Sequence, residues 1–197
     1  MPPKVLHTVQ NQRLYDPKKS KTGKNKDGSA FDIGYGSGLH ANGTVTIDEV
    51  TIGGVTVPQM PFGVAHLMEW GNHKSEKRFD GMLGLAFQTS NSIKPDAQCT
   101  FSQCLPDVIF TTNLKYTSDS SSWITLGSMD EAAHGLDTAT TIPIVLNKDT
   151  GKATAWFADH VQFGSGGKVF STKPSRVLFD TGGASMIVPP GVGNPIS

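Results

Sequence analysis

The stretch Val177-Leu178-Phe179-Asp180-Thr181-Gly182-Gly183-Ala184-Ser185-Met186-Ile187-Val188-Pro189 sets one acid between two apolar runs, with threonine and glycine directly after it. A carboxylate is costly to bury there unless donors hold it, and a tight Thr-Gly turn presents such donors. Held this way beside a second carboxylate, Asp180 can share one proton with it, which gives a base and an acid for attack of water on an amide. Asp-Thr-Gly alone also fits a plain turn after a strand, and the apolar flanks are what favour the chemical reading. Other chemistries find fewer footholds. The nucleophile-elbow pattern G-x-S-x-G is absent, and His7, His40, His66, His73, His134 and His160 fall in no metal-ligand spacing, so neither metal nor cofactor is expected. The run Gly34 to Leu39 begins like a dinucleotide loop but lacks its third glycine, and strands rather than a helix follow it. Cys99 and Cys104, with four residues between them, can close a small disulfide if the backbone turns, or stand as two thiols. No histidine or second cysteine pair nearby completes four zinc ligands.

The elements that must position these groups read as strands. Val, Ile and Thr number 43 against 12 Leu, and 22 glycines and 12 prolines punctuate the chain. Thr44-Val45-Thr46-Ile47-Asp48 alternates, and at Asp48-Glu49 the phase shifts so that Val50 and Ile52 continue the apolar series. Such a shift predicts a bulge or bend. Gly53-Gly54 then predicts a tight hairpin turn into Val55-Thr56-Val57. Upstream, Phe31-Asp32-Ile33-Gly34-Tyr35 runs out to the tip Gly36-Ser37-Gly38 and returns. Further strands are predicted at Trp123 to Leu126, Ile142 to Leu146, Trp156 to Phe163 and Arg176 to Phe179. Only Phe101 to Leu114 is read as able to hold a helical turn or two, interrupted by Pro106. The small, polar segment Met129 to Thr141 predicts a linker or domain boundary.

Charge narrows the function classes. The chain of 197 residues carries 17 basic and 17 acidic side chains, so it lacks the basic surplus that phosphate neutralisation requires, and no nucleic-acid partner is expected. Within residues 1 to 30, however, seven basic side chains face two acidic ones, a balance of +5 that the rest of the chain offsets. We read that leader as a solvated lysine-rich loop. No run of 18 apolar residues exists to span a membrane, and Met1 to His7 lacks the apolar core of a secretory signal.

Taken in order, several segments resemble the pepsin-like aspartic peptidases, above all the fungal secreted members. Tyr15-Asp16-Pro17-Lys18-Lys19-Ser20 is similar to the segment before that family's flap. Tyr35-Gly36-Ser37-Gly38 resembles the flap tip, with Asn42-Gly43-Thr44-Val45 and Val50-Thr51-Ile52-Gly53-Gly54 after it. Phe79-Asp80-Gly81-Met82-Leu83-Gly84-Leu85-Ala86-Phe87 resembles the F-D-G-I-L-G-L-A block, and Trp123 to Asp130 resembles the L-x-L-G-x-x-D segment near the junction of lobes. The resemblance implies an all-β, bilobal pepsin-like fold, with residues 1–135 as an N-terminal lobe remnant carrying the flap and 136–197 as the start of a C-terminal lobe. It implies an aspartic endopeptidase acting on peptides or proteins, with Asp180 as a catalytic aspartate and Thr181 and Gly182 as its turn. Tyr35, Gly36 and Ser37 would close over the substrate, and Phe79 and Met82 would line an apolar pocket. It also implies a secreted or vacuolar setting, which favours a Cys99–Cys104 bridge; Asn42-Gly43-Thr44 fits a glycosylation acceptor there, or is a chance match.

The chain departs from the family's pattern in ways that shape the expectation. No D-T-G-S motif precedes Tyr35, and Gly183 stands where the family carries a hydroxyl beside the carboxylate. We therefore expect an incomplete fold, truncated at both ends and lacking the first catalytic aspartate. A monomer is expected, since pairing two copies would bring two Asp180 groups without their companion strands. The rival readings are a catalytically inactive pepsin-fold protein that binds peptide or protein, and a partial gene product that does not fold alone.

Overall fold

The computed structural model describes residues 13–69, 79–95, 99–105, 107–114, 122–129, 140–165, 167–170, 173–183 and 187–188. The chain divides into two compact units, Met1–Ile109 and Phe110–Ser197. That division lies upstream of the 135/136 boundary drawn from the sequence. The reason is local: Phe110 to Asn113 pairs with Trp123 to Leu126, and the Phe110 ring meets the Trp156 ring edge-on at 5.3 Å. Residues 130–139, most of the expected linker, lie outside the described residues.

The first unit is built on a four-stranded antiparallel sheet in the order β3-β2-β1-β4, with β1 at Lys24–Gly34, β2 at His40–Ile52, β3 at Val55–Glu69 and β4 at Ile93–Lys94. The phase shift read at Asp48-Glu49 is a bulge, where the β2–β3 register slips between Asp48 and Val50. Gly53 and Gly54 take φ of 58° and 82°, the left-handed pair that a tight two-residue hairpin turn needs. Alternation along β1 and β2 sends Phe31, Ala41 and Val45 to one face, where Ile93 joins them and Ile33 and Ala65 pack against the cluster. Val45, 1% exposed, gains about 1.5–3 kcal/mol from its burial. Its neighbour Phe31 fits only because Gly63 leaves room: a Cβ there would stand 2.4 Å from the ring.

Two short 3-10 turns follow, at Gln88–Ser90 and Ser102–Cys104. The second lies within the loop closed by a Cys99–Cys104 disulfide, whose Cα atoms are 5.9 Å apart, and it carries the fully buried Phe101 ring. The helical potential read over Phe101 to Leu114 is spent there; the same stretch continues as strand β5, Phe110–Asn113, because Thr111 and Thr112 find a ladder in β6, Trp123–Leu126.

In the second unit β7, Phe157–Val161, pairs antiparallel with β10, Ser175–Leu178, and β8, Gly164–Ser165, with β9, Lys168–Val169. His160 takes φ of 62° where the β7 register slips, and Arg176 grips Asp159 through two hydrogen bonds of 2.7 and 2.8 Å. Ile142 to Leu146 is not a strand. Only Leu146 bridges, to Ala153, and Pro143 has no N–H to offer a ladder. Among the described residues no helix is long and apolar enough to cross a membrane.

Candidate active site

Asp180 follows β10 directly. The strand's end is fixed by Phe179 N–H donating to the Trp156 carbonyl at 3.0 Å, and the chain then turns back on itself. Asp180 Oδ1 accepts from the Gly182 N–H at 2.8 Å, and the Asp180 carbonyl accepts from the Gly183 N–H at 3.1 Å. The turn thus supplies the carboxylate with one amide donor, at Oδ1. Glycine at position 182 suits this contact, since a Cβ there would press on Oδ1 at 3.2 Å. Asp180, Thr181, Gly182 and Gly183 are all exposed. The following residues Ala184 to Met186, including Ser185, lie outside the described residues.

Tyr35, Gly36 and Ser37 occupy the tip of the β1–β2 hairpin, closed by Tyr35 N–H to the Leu39 carbonyl at 2.8 Å and Gly38 N–H to the Tyr35 carbonyl at 2.9 Å. Gly36 and Ser37 are exposed, while the Tyr35 ring is half-buried and its phenol pKa is raised by that burial. Phe79 is half-buried and Met82 is 52% exposed, in a stretch without regular structure. Asp80 between them is structural: its Oδ1 accepts from the Arg13 N–H at 3.0 Å. Tyr35, Gly36, Ser37, Phe79 and Met82 thus belong to the first unit and Asp180, Thr181 and Gly182 to the second.

Two groupings near the hairpin escape a reading of the sequence alone. Asp48, buried in the β2 bulge, accepts from the Tyr15 hydroxyl at 2.6 Å, from the Thr22 hydroxyl and from the Glu49 N–H at 2.8 Å. The hydroxyls of Ser20, Thr22 and Tyr15 hold its carboxyl well below the usual carboxylate range. Burial, then the bond to Asp48, pushes the Tyr15 phenol up to about 12. Farther along the hairpin, His40 Nε2 lies 2.9 Å from Asp32 Oδ1. The phase shift at Asp48 was the one available signal for the first grouping; cross-strand position explains the second, since Asp32 faces Asn42 in the register and His40 sits two residues back.

The chain is similar to several known proteins. A putative aspergillopepsin A-like aspartic endopeptidase of Arthroderma otae is 38% identical over 109 residues, which is 53% of this chain and 25% of that protein. Endothiapepsin of Cryphonectria parasitica is 36% identical over 112 residues, 55% of this chain and 26% of its own length. The matched stretches thus span about a quarter of these relatives. Among solved structures, an aspartic proteinase from Irpex lacteus aligns over 94% of this chain and 55% of its own with a TM-score of 0.68 at 20% identity, which establishes the pepsin-like fold. The family model described as eukaryotic aspartyl protease matches residues 4–196, and on that match the chain belongs to the eukaryotic aspartyl protease family.

Proposed function

We propose that this chain contributes one catalytic carboxylate and the flap of an aspartic endopeptidase that hydrolyses peptide bonds in peptides or proteins. The observation that carries the reading is the exposed Asp180 carboxylate at the end of β10, oriented by the Gly182 amide. In the working enzyme a water lies between two carboxylates that share one proton; the ionised member draws a proton from the water as it attacks the carbonyl, and the protonated member stabilises the oxygen. Asp180 supplies one carboxylate, with Thr181 and Gly182 fixing its turn. The second comes from sequence outside these residues: no Asp-Thr-Gly precedes Tyr35, and the chain's other copy, Asp149-Thr150-Gly151, lies in an exposed turn where Asn147 Oδ1 accepts from the Asp149 and Thr150 N–H groups. Tyr35, Gly36 and Ser37 close over the substrate backbone, and Phe79 and Met82 offer apolar surface beside the scissile bond. In lobe terms, residues 1–135 carry the flap and 136–197 open the second lobe. The Cys99–Cys104 bridge supports an oxidising, secreted or vacuolar setting, and a monomer is the working form.

The test is cleavage of a peptide substrate at acidic pH by the full-length protein that contains this chain, with and without an aspartic-protease transition-state analogue. Asp180→Asn should abolish turnover while leaving folding intact by circular dichroism. Full activity in that variant would refute the role given to Asp180. A second reading, a pepsin-fold protein that binds peptide without cleaving it, draws support from Gly183. Glycine there provides no hydroxyl to the carboxylate, and peptide binding without inhibitor-sensitive cleavage would favour it.

A further inference from the structure

We infer that Asn42, on strand β2 of the flap hairpin, is an N-glycosylation site. The inference rests on the secretory part of the reading above. Asn42-Gly43-Thr44 is the sole Asn-X-Ser/Thr triplet in the chain. Strand alternation alone would put such a triplet on either face of a sheet, so the fold decides whether it can carry a sugar.

In β2 the neighbours Ala41 and Val45 point into the apolar cluster and Asn42 and Thr44 alternate with them; Thr44 is exposed and Asn42 half-buried in the folded sheet. The Asn42 amide makes no hydrogen bond among the described residues, so no native contact is given up when it is derivatised. It borders an open groove of about 570 Å³ lined also by Asp32, Ser90, Asn91, Ser92 and Lys94. Ala30 and the Phe31 ring add apolar surface to the same groove, so its lining mixes apolar surface with polar side chains. The disulfide between Cys99 and Cys104 supplies a separate indication of the compartment, because such bridges persist where the glycosylating machinery also resides.

The chemistry is transfer of an oligosaccharide from a polyprenyl-diphosphate-linked donor to the Asn42 Nδ2. The anomeric carbon exchanges its bond to the diphosphate oxygen for a bond to nitrogen, the amide loses one proton, and the polyprenyl diphosphate leaves. No oxidant or reductant enters. Asn42 lies on a strand hydrogen-bonded to β1 on one side and to β3 on the other, opposite Asp32 and Leu67. An extended, unpaired acceptor is therefore available only before β3 closes onto β2. Because β3 is synthesised after Asn42, transfer occurs on the emerging chain, before the sheet forms, and the attached glycan then leaves through the open groove that Asn42 borders.

The experiment is production of the chain in yeast behind a cleavable secretory leader, followed by endoglycosidase digestion and mass spectrometry of the intact protein and its peptides. One endoglycosidase-sensitive glycan is expected, located at Asn42, absent from Asn42→Gln and from Thr44→Val, and kept in Thr44→Ser. As a control, Asp149→Thr makes the exposed Asn147 an acceptor. If Asn147 in that variant carries a glycan while Asn42 remains bare, the Asn42 site is overturned, and the peptidase reading stands on its own cleavage assay. A glycan that persists in Asn42→Gln overturns it equally.

Discussion

Asp48 keeps its charge at a position only 5% exposed, and among the described residues no cation lies within ion-pair range of it. Its charge is held by hydroxyl donors from the Tyr15 to Gly23 segment and by its neighbour's amide. Those donors favour the ionised form, so its folded pKa is depressed below the unfolded value of about 3.9. By linkage, the stability this gives is fully present above the unfolded value and is lost as pH falls from there through the folded pKa. Asp48→Asn is therefore expected to lower the denaturant midpoint at neutral pH, and the deficit should shrink as pH drops below about 4. Unfolding curves of both proteins at a series of pH values decide this; a deficit that stays constant down to strongly acidic pH would remove the charge of Asp48 from the account. Little of this cluster could be read in advance. The tyrosine stands 33 residues from the acid in sequence, and no local pattern joins them. The turn at Asp180 was legible because it closes locally, through the amide two residues on.

At the level of elements, the β1–β2–β3 sheet depends on two glycines whose role is space rather than conformational freedom. A Cβ on Gly43 would stand 2.0 Å from the Val64 carbonyl oxygen, which belongs to the paired backbone and has nowhere to go. A Cβ on Gly63 would instead strike the Phe31 ring, a side chain that can be trimmed. Gly43→Ala should cost roughly 3 kcal/mol, the upper end for overpacking, and no side-chain change nearby should relieve it. Gly63→Ala should cost about 1–3 kcal/mol, and adding Phe31→Leu should recover part of that loss relative to Phe31→Leu alone. Chemical denaturation of the two single variants, the double variant and Phe31→Leu supplies the comparison; equal relief of both glycine variants would contradict the assignment of the clashes. The hairpins and the bulge in this sheet were legible because glycine pairs and alternation phase act within a few residues. The strand expected at Ile142 to Leu146 failed because alternation specifies a face but not a partner: Leu146 forms one bridge, to Ala153, and Val145 a single backbone hydrogen bond to the Phe157 carbonyl, short of a ladder. The strand at Phe110 to Asn113 was missed for the converse reason, since its partner begins ten residues beyond its end.

For the whole molecule, zero net charge conceals an uneven distribution. Seven of the 17 basic groups lie in the first 30 residues, and 15 of the 17 acidic groups lie beyond them. The sequence showed that asymmetry plainly, whereas the compact units follow ring and ladder contacts such as Phe110 with Trp156. Charge also governs how copies meet in solution. With an isoelectric point near 7.0, the molecule has its least mutual repulsion at neutral pH. Below its sequence isoelectric point the molecule carries net positive charge. Repulsion between copies therefore grows in the acid range proposed for catalysis, where Asp48 still holds its segment. Solubility measured by light scattering across pH 4 to 8 should pass through its minimum near pH 7 and rise on the acid side. A minimum at acidic pH would mean that buried or paired carboxylates, and not the formal charge count, control association of this protein.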